Sequence, residues 1–332
     1  MNLKRFEGPW IVVTGAAGMI GSGVVRHLND LGESKIVLVD DLASSEKWKN
    51  LLGKKFSHML PIQGFFSWLE GKQKEIKAFI HLGACSDTLE KNGDYLMENN
   101  YRFSVRLAEY ALTHGIRFIY ASSAATYGDG ALGFSDDHSL LASLKPLNLY
   151  GFSKHLFDLW AQNQGVLNQV VGLKYFNVFG PNEAHKGHMA SMIAKMFPVV
   201  QKEGVLRLFK STEPDKFPDG GQCRDFIYVK DAVRITCDFL DKKGGGIFNV
   251  GSGLPTTWNH LADSVFKASE LPRRIEYIDM PPDLAKQYQN FTCASVEKLL
   301  NYFDLQKTAC KFSVDEAIRD YVIGHLKKEL LW

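Results

Sequence analysis

The run Trp10-Ile-Val-Val-Thr14, followed without a break by Gly15-Ala-Ala-Gly18-Met-Ile-Gly21, decides how the rest of the chain is read. Its β-branched and aromatic residues predict a buried strand, and the glycines after it predict a sharp turn. Met19, Ile20, Val24, Val25 and Leu28 then recur at helical spacing as far as Gly32. Ile36-Val-Leu-Val-Asp40 reads as a second buried strand closed by an acid. Strand, glycine turn, helix, strand and acid within about 30 residues form the unit in which a pyrophosphate rests on a helix N-terminus and a carboxylate holds a ribose. The spacing is G-x-x-G-x-x-G rather than G-x-G-x-x-G, so the weight rests on this context.

Outward from that unit, the residues bearing on the cofactor pull in two directions. Asp40 and Asp41 suit the free 2′-hydroxyl of NAD and repel a 2′-phosphate. Lys47, Lys49, Lys54 and Lys55 follow closely and suit such a phosphate. Both dinucleotides stay open at this point. Ala78-Phe-Ile-His-Leu82 reads as the next buried strand, delivering Gly83-Ala-Cys-Ser86 to the carboxyl edge, where ligands of open α/β sheets lie. His81 and Cys85 have no further ligands at useful spacing, so no metal site is expected. A helix is predicted over 95–114, with Asn99 and Asn100 polar where packing alone would not ask for them. Arg117-Phe-Ile-Tyr-Ala121 is another strand, ending in Ser122-Ser123-Ala-Ala-Thr-Tyr127.

Tyr150-Gly-Phe-Ser-Lys154 opens the next helix and places a tyrosine and a lysine on one face. A free phenol has a pKa of about 10, so bringing it near 7 needs about 4 kcal/mol of preference for phenolate. An ammonium about 4 Å away supplies a term of that order at an effective dielectric of 20. A serine hydroxyl such as Ser123 at the neighbouring strand end can hydrogen-bond a substrate alcohol, or simply cap the backbone. The spacing itself arises by chance about once in a chain this long, so its surroundings give it meaning.

Beyond it, Val170–Phe176 forms a strand that brings Asn177-Val-Phe-Gly-Pro181 to the same edge. Further expectations are a helix over 189–201, an exposed loop over 210–223, and a strand at Arg224–Val229. They continue with a helix over 231–240, a strand at Ile247–Gly251, a helix over 258–269, a strand over 275–278 and a last helix over 314–326. The fold expected is α/β: a Rossmann-type doubly wound parallel sheet with a smaller C-terminal α/β substrate domain. Residues 1–176 form the dinucleotide domain, with 224–252 returning to it, and 177–223 with 253–332 form the substrate domain. At 332 residues, 45% hydrophobic and 23% charged, the chain supports such a core, and a net charge of +2 argues against nucleic acid or a membrane surface as partner. Five scattered cysteines and a start without an apolar leader point to reduced thiols in a cytoplasmic protein.

Together, Gly15/Gly18/Gly21, Ser122-Ser123, Tyr150-x-x-x-Lys154 and Asn177-Val-Phe-Gly-Pro resemble the extended short-chain dehydrogenase/reductases. More narrowly, Gly83-Ala-Cys-Ser, Glu98-Asn-Asn-Tyr, Tyr120-Ala-Ser-Ser-Ala-Ala-Thr-Tyr-Gly and His185-Lys-Gly-His-Met-Ala-Ser191 resemble the ADP-glyceromanno-heptose 6-epimerase family. The resemblance covers nearly the whole chain from Trp10. It implies epimerisation at C6 of an ADP-activated heptose for the lipopolysaccharide inner core, by transient oxidation to a ketone with bound NADP. It also implies a cytoplasmic homo-oligomer, usually a pentamer.

By the same resemblance Tyr150 is the proton-handling group, Lys154 its partner, and Ser123 the serine. Lys186 is a second acid/base, or alternatively a phosphate clamp. Dinucleotide contacts fall on Gly15, Gly18, Met19, Ile20 and Gly21, on Asp40, Asp41 and Lys47, and on Leu82, Gly83, Ala84, Cys85 and Ser86. Asn99, Tyr150, Lys154, Val178 and Lys186 complete them. Substrate contacts fall on Asn177, His188, Lys195, Phe209, Lys210, Ser211, Thr212, Arg224 and Tyr288. The chain departs from the family's pattern at Met19, at His188 where serine is more usual, and in a longer loop after Thr212. A 4,6-dehydratase would need an acid after the serine block, where Ala124-Ala125-Thr126 stands. The alternatives kept are a nucleotide-hexose C4 epimerase and a non-catalytic dinucleotide sensor, the latter disfavoured because both Tyr150 and Lys154 are present.

Overall fold

Residues 9–285 and 288–332 are described by the structure, a computed structural model. Strands β1 (Trp10–Thr14), β2 (Ile36–Val39), β3 (His58–Leu60), β4 (Ile76–His81), β5 (Arg117–Ser123) and β6 (Val170–Tyr175) join Gly246–Val250 in one seven-stranded sheet. Its order is Gly246–Val250, β6, β5, β4, β1, β2, β3. The pairings β1/β2, β1/β4, β2/β3 and β4/β5 are parallel. Every residue of β1 and β2 is buried, because a parallel sheet is covered on both faces, and this is why these strands read as unbroken apolar runs. The order reverses between β1 and β4, the switch point of a doubly wound sheet.

Chain contacts divide the protein into two units. The first runs to Gly128 and takes in Asp137–Lys174 and Val233–Phe248; the second is Asp129–Asp136, Tyr175–Ala232 and Asn249–Trp332. In the second unit Asn177–Phe179 pairs parallel with Cys223–Tyr228, which pairs antiparallel with Pro255–Thr257. Leu206–Phe209 pairs parallel with Ile275–Ile278. The expectation put all of 224–252 in the first unit; the piece found there is Val233–Phe248, because Cys223–Tyr228 finds its strand partners in the second. The strands His58–Leu60, Leu206–Phe209 and Pro255–Thr257 had no sequence prediction: runs of three or four residues are too short to show a period. No helix among the described residues is long and apolar enough to cross a membrane.

One charged cluster lies inside the first unit's core. Asp158, on the helix Leu149–Asn163, and Lys174, on β6, are both fully buried and pair at 2.9 Å. Tyr120 donates its phenol to Asp158 Oδ1 (2.9 Å), Ser122 donates its hydroxyl to Oδ2 (2.7 Å), and Lys174 also donates to the Thr126 hydroxyl. Gly172 leaves the room that Tyr120 fills, since a Cβ there would overlap the phenol. A buried pair of this kind needs further hydrogen bonds on both partners, and Tyr120, Ser122 and Thr126 supply them here.

Lys174→Met would leave the Asp158 carboxylate in the core with hydroxyl donors but without its directly paired ammonium. The expected result is a loss of about 3 to 5 kcal/mol in unfolding free energy, measured by urea titration at pH 7. An unchanged midpoint would show that the pair is not what holds β5, β6 and the helix together.

Candidate functional site

The glycine turn after β1 meets the loop after β4 at the switch point. Gly15 has a positive φ of 66°, and a Cβ there would lie 2.7 Å from the backbone of Gly83, so Gly15 must be bare for the two loops to cross, while a Cβ on Gly83 would be tight at 3.1 Å. Gly21, in the first turn of the helix Met19–Asp30, packs equally close on the Gly15 carbonyl. Gly18 caps that helix without a side-chain hydrogen bond, which leaves its first N–H groups facing the turn. This cradle fits a pyrophosphate: a helix N-terminus, backbone donors, and no Cβ in the way. Met19 is buried and Ile20 half-buried beside it.

A chain of hydrogen bonds fixes the second loop. Ser104 gives its one proton to the Asn100 carbonyl, so His81 Nε2 must be the donor to Ser104 Oγ (2.8 Å). Burial, with the Lys154 charge in support, lowers the His81 pKa to about 3, so the ring is a neutral imidazole. Nδ1 is then the acceptor from Thr14 Oγ1 (2.6 Å), which itself accepts the Gly83 N–H (3.0 Å). Asn100, wholly buried in a π-helical turn over Met97–Arg102, accepts the Cys85 N–H (2.8 Å) and donates to the Cys85 carbonyl (2.9 Å) and to Ser153 Oγ (3.0 Å). Asn99 donates to Asn100 (3.0 Å). Leu82, Gly83, Ala84 and Cys85 are thus held half-buried at the sheet edge, with Ser86 exposed. Sequence reasoning noticed that Asn100 was polar but gave it no task; its signal was an amide inside an otherwise apolar helix face.

Asp40 already has two partners within the chain. Its Oδ2 accepts the Ala17 N–H (2.8 Å) and its Oδ1 the Lys47 ammonium (2.7 Å), so the carboxylate fastens the glycine turn to β2 and carries a neutralising partner. Asp41 accepts the Ile62 N–H (2.9 Å). The four lysines also separate. Lys49 pairs with Glu46. Lys54 feels Arg26 and Asp30, and burial lowers its pKa to about 8, while the Lys55 N–H bonds Asn29. Both of these lie by the C-terminal end of the helix Met19–Asp30, about 18 Å of helix away from the glycine turn.

Ser123, Tyr150 and Lys154 come together at the carboxyl end of β5. Asn148 caps the helix Leu149–Asn163 through the Gly151 N–H. Gly151 is bare where a Cβ would sit 2.7 Å from the Ala125 carbonyl, so the helix start lies directly against the serine turn. Burial pushes the Tyr150 phenol up, and the hydrogen bond with Ser123 pulls it partly back. This corrects the expectation that Lys154 lowers Tyr150. Lys154 Nζ donates to the Ala121 carbonyl (2.9 Å), and burial lowers the ammonium to about 8 while Asp158 opposes that. Four residues along a helix brings two side chains to one face but does not say where the longer one ends.

The second unit carries the remaining candidates. Asn177 is exposed and Val178 half-buried in the strand Asn177–Phe179. Lys186 and His188 lie in the 3-10 turn Ala184–Met189, where burial lowers the Lys186 ammonium and Glu183 works against it. Lys195 donates to the His188 carbonyl (2.7 Å). Phe209 ends its strand, and Lys210 pairs with Asp279 (2.9 Å). The Ser211 N–H bonds Asp219 (2.8 Å), and Thr212 accepts from Asn290 (3.4 Å). Arg224 lies 5.0 Å from the Tyr288 ring and 5.8 Å from that of Trp258, whose Nε1–H donates to the Tyr288 hydroxyl (2.7 Å). Trp258 had no place in the sequence reading, because nothing in its spacing links it to Arg224 or Tyr288.

The model of the NAD dependent epimerase/dehydratase family matches residues 11–251. An ADP-L-glycero-D-manno-heptose-6-epimerase of Nitratidesulfovibrio vulgaris is 49% identical over 315 residues, 94% of this chain and 97% of that protein. One from Fusobacterium nucleatum is 41% identical over 332 residues, covering 96% and 98%. Among solved structures, an ADP-L-glycero-D-manno-heptose-6-epimerase of Helicobacter pylori superposes with a TM-score of 0.77 at 26% identity, covering 96% of each chain.

Asn100→Ala removes both ties to Cys85. It is expected to cost about 1 to 3 kcal/mol in stability, and about tenfold in affinity for a nicotinamide dinucleotide by calorimetric titration. Folded His81 titrates near 3 and unfolded histidine near 6.5, so the unfolded chain binds the extra proton between them. The stability contributed by neutral His81 is full above pH 6.5 and is lost as pH falls toward 3. In His81→Gln the slope of unfolding free energy against pH across that window should flatten by about 1.4 kcal/mol per pH unit, read from urea titrations.

Proposed function

The chain belongs to the NAD dependent epimerase/dehydratase family, and on that premise we propose that it inverts C6 of ADP-D-glycero-β-D-manno-heptose to give ADP-L-glycero-β-D-manno-heptose. The observation that carries this is the 49% identity, over nearly the full length of both chains, to a protein of that activity. The carbinol hydrogen at C6 is not acidic, so inversion by simple proton abstraction is closed. A nicotinamide dinucleotide, when bound in the Gly15–Gly21 cradle, supplies reversible hydride transfer.

The chain's own residues handle protons and position. Tyr150 takes the proton of the C6 hydroxyl in one direction of the reaction and gives it back in the reverse direction, and Ser123 hydrogen-bonds the same oxygen. Lys154, the tyrosine's partner by family resemblance, lies on the same helix with its ammonium on the Ala121 carbonyl at the end of the serine strand. Inversion exchanges hydrogen and oxygen about C6, so the oxygen of the product meets a different protein group. Lys186 is that second acid/base, its pKa brought down by burial toward the working range. Arg224, with its planar fork between aromatic rings, suits the diphosphate or ribose of the ADP. The dinucleotide is NADP: Lys47 pairs with Asp40 and so offsets the carboxylate charge that would repel a 2′-phosphate. With this reading go a cytoplasmic location and a homo-oligomer, a pentamer by family resemblance.

Incubation with ADP-D-glycero-D-manno-heptose, followed by proton NMR at C6, should show both epimers at equilibrium and no net accumulation of reduced cofactor. No conversion with NADP present would overturn the reading in favour of a hexose C4 epimerase or a sensor. Tyr150→Phe should bind NADP as the parent does and lose at least about 100-fold in kcat. Normal turnover by that variant would remove Tyr150 from its role.

A further inference from the structure

Glu183 is 1% exposed, and the mechanism above does not use it. Its carboxylate collects donors from three parts of the second unit. Oε1 accepts the Gly180 N–H (3.3 Å), the Ser191 hydroxyl (2.7 Å) and the Tyr321 phenol (3.0 Å), while Oε2 accepts the Ser191 N–H (2.6 Å). The main-chain carbonyl of Glu183 accepts the Lys186 N–H (2.9 Å). The segment between Glu183 and Ser191 is therefore a loop closed on one side chain, and Lys186 and His188 ride on it.

The turn Ala184–Met189 has no side-chain cap, and Gly187 breaks it with a φ of 53°. Lys195 donates to the His188 carbonyl (2.7 Å) and the Ala190 N–H to that of Gly187 (3.1 Å), while the Glu183 carboxylate joins the two ends of the segment. The tie itself is anchored: Tyr321 is 3% exposed in the π-helical turn Asp320–Leu326. Asn182, next to Glu183, exchanges two hydrogen bonds of 2.8 Å with the backbone of Trp332. The C-terminal segment therefore holds the loop's entry and its carboxylate at once. The Glu183 charge also favours the ammonium of Lys186, against burial and the Lys195 charge.

We propose that Glu183 is a positioning residue for Lys186: by closing the loop 183–191 onto Tyr321, it sets where the Lys186 amine stands for proton transfer. The inference rests on the reading of Lys186 as the second acid/base. It assigns a function to the Asp320–Trp332 segment as well, as a support of the loop that carries Lys186.

The test measures C6 inversion by NMR in the full-length protein, wild type against Glu183→Gln, Lys186→Met, the double variant and Tyr321→Phe. Glutamine keeps the size of the side chain but places an amide among donors that need oxygens. Glu183→Gln should lower kcat about 100-fold with KM within about twofold of the parent, as a misplacement of an ångström does. In the Lys186→Met background the same change should add no further loss, because groups acting through one another are not additive. Tyr321→Phe, which removes one donor and keeps the ring, should lower kcat about fivefold and likewise have no effect once Lys186 is gone. Wild-type kcat in Glu183→Gln, or losses that multiply in the double variant, would overturn the proposal. If Glu183→Gln does not fold, Tyr321→Phe decides: an unchanged kcat, or an effect confined to KM, overturns it. Full turnover by Lys186→Met would instead sink the role of Lys186 while leaving C6 inversion intact, so the two failures are told apart.

Discussion

Two backbones cross at Gly15 and Gly83, closer than any Cβ allows, and the first unit is arranged around that crossing. It occurs at the switch point, where the connections from β1 and β4 leave the sheet in opposite directions and open a crevice between them. Such a crossing has no side chains of its own to hold it. The structure supplies the hold from beneath, through Thr14, His81 and Ser104, and from the side, through Asn100. Each member of that chain has its donors and acceptors matched, which is the condition for polar groups to lie in an apolar core without a large cost. Connectivity makes Nε2 of His81 a donor, and burial keeps the ring neutral.

Buried carboxylates do comparable work at other loops. Asp40 ties the glycine turn, Asp231 takes the N–H groups of Lys311 and Phe312, and Asp225 takes those of Ser252, Gly253 and Ala294. Glu183 closes the turn that carries Lys186. Loops at the edge of a sheet must stay open enough for a ligand to reach backbone N–H groups and glycines, so they have little apolar surface to bury. A carboxylate with several lone-pair directions can fix such a loop from one side and leave the other side open. The same reasoning explains why Asp158 and Lys174 sit under the serine turn: Ser122 and Thr126 are hung from charged groups that have no other place to turn.

Much of this was legible before any coordinates. The long parallel strands announce themselves because both faces are buried, and the glycines because a crossing and a helix N-terminus exclude Cβ atoms. The helix over 258–269 and the strand over 275–278 fell where the pattern put them. The short strands did not show, since two or three side chains on a face make no period. Ser123, Tyr150 and Lys154 could be named because strand ends and helix starts of one sheet converge on one edge. Trp258 and Glu183 could not, because their partners lie 30 and 138 residues away.

Local pattern thus determined the fold class, the glycine turn and the candidate proton-handling groups, since each depends on neighbours within one strand or one turn of helix. Tertiary structure decided how those groups are charged and where their side chains end. Lys154 reaches the Ala121 carbonyl, Asp40 is neutralised by Lys47, and Lys54 and Lys55 stand at the far end of a helix from the turn they follow in sequence. Electrostatics depends on distance through space and on burial, and neither is a property of spacing along the chain.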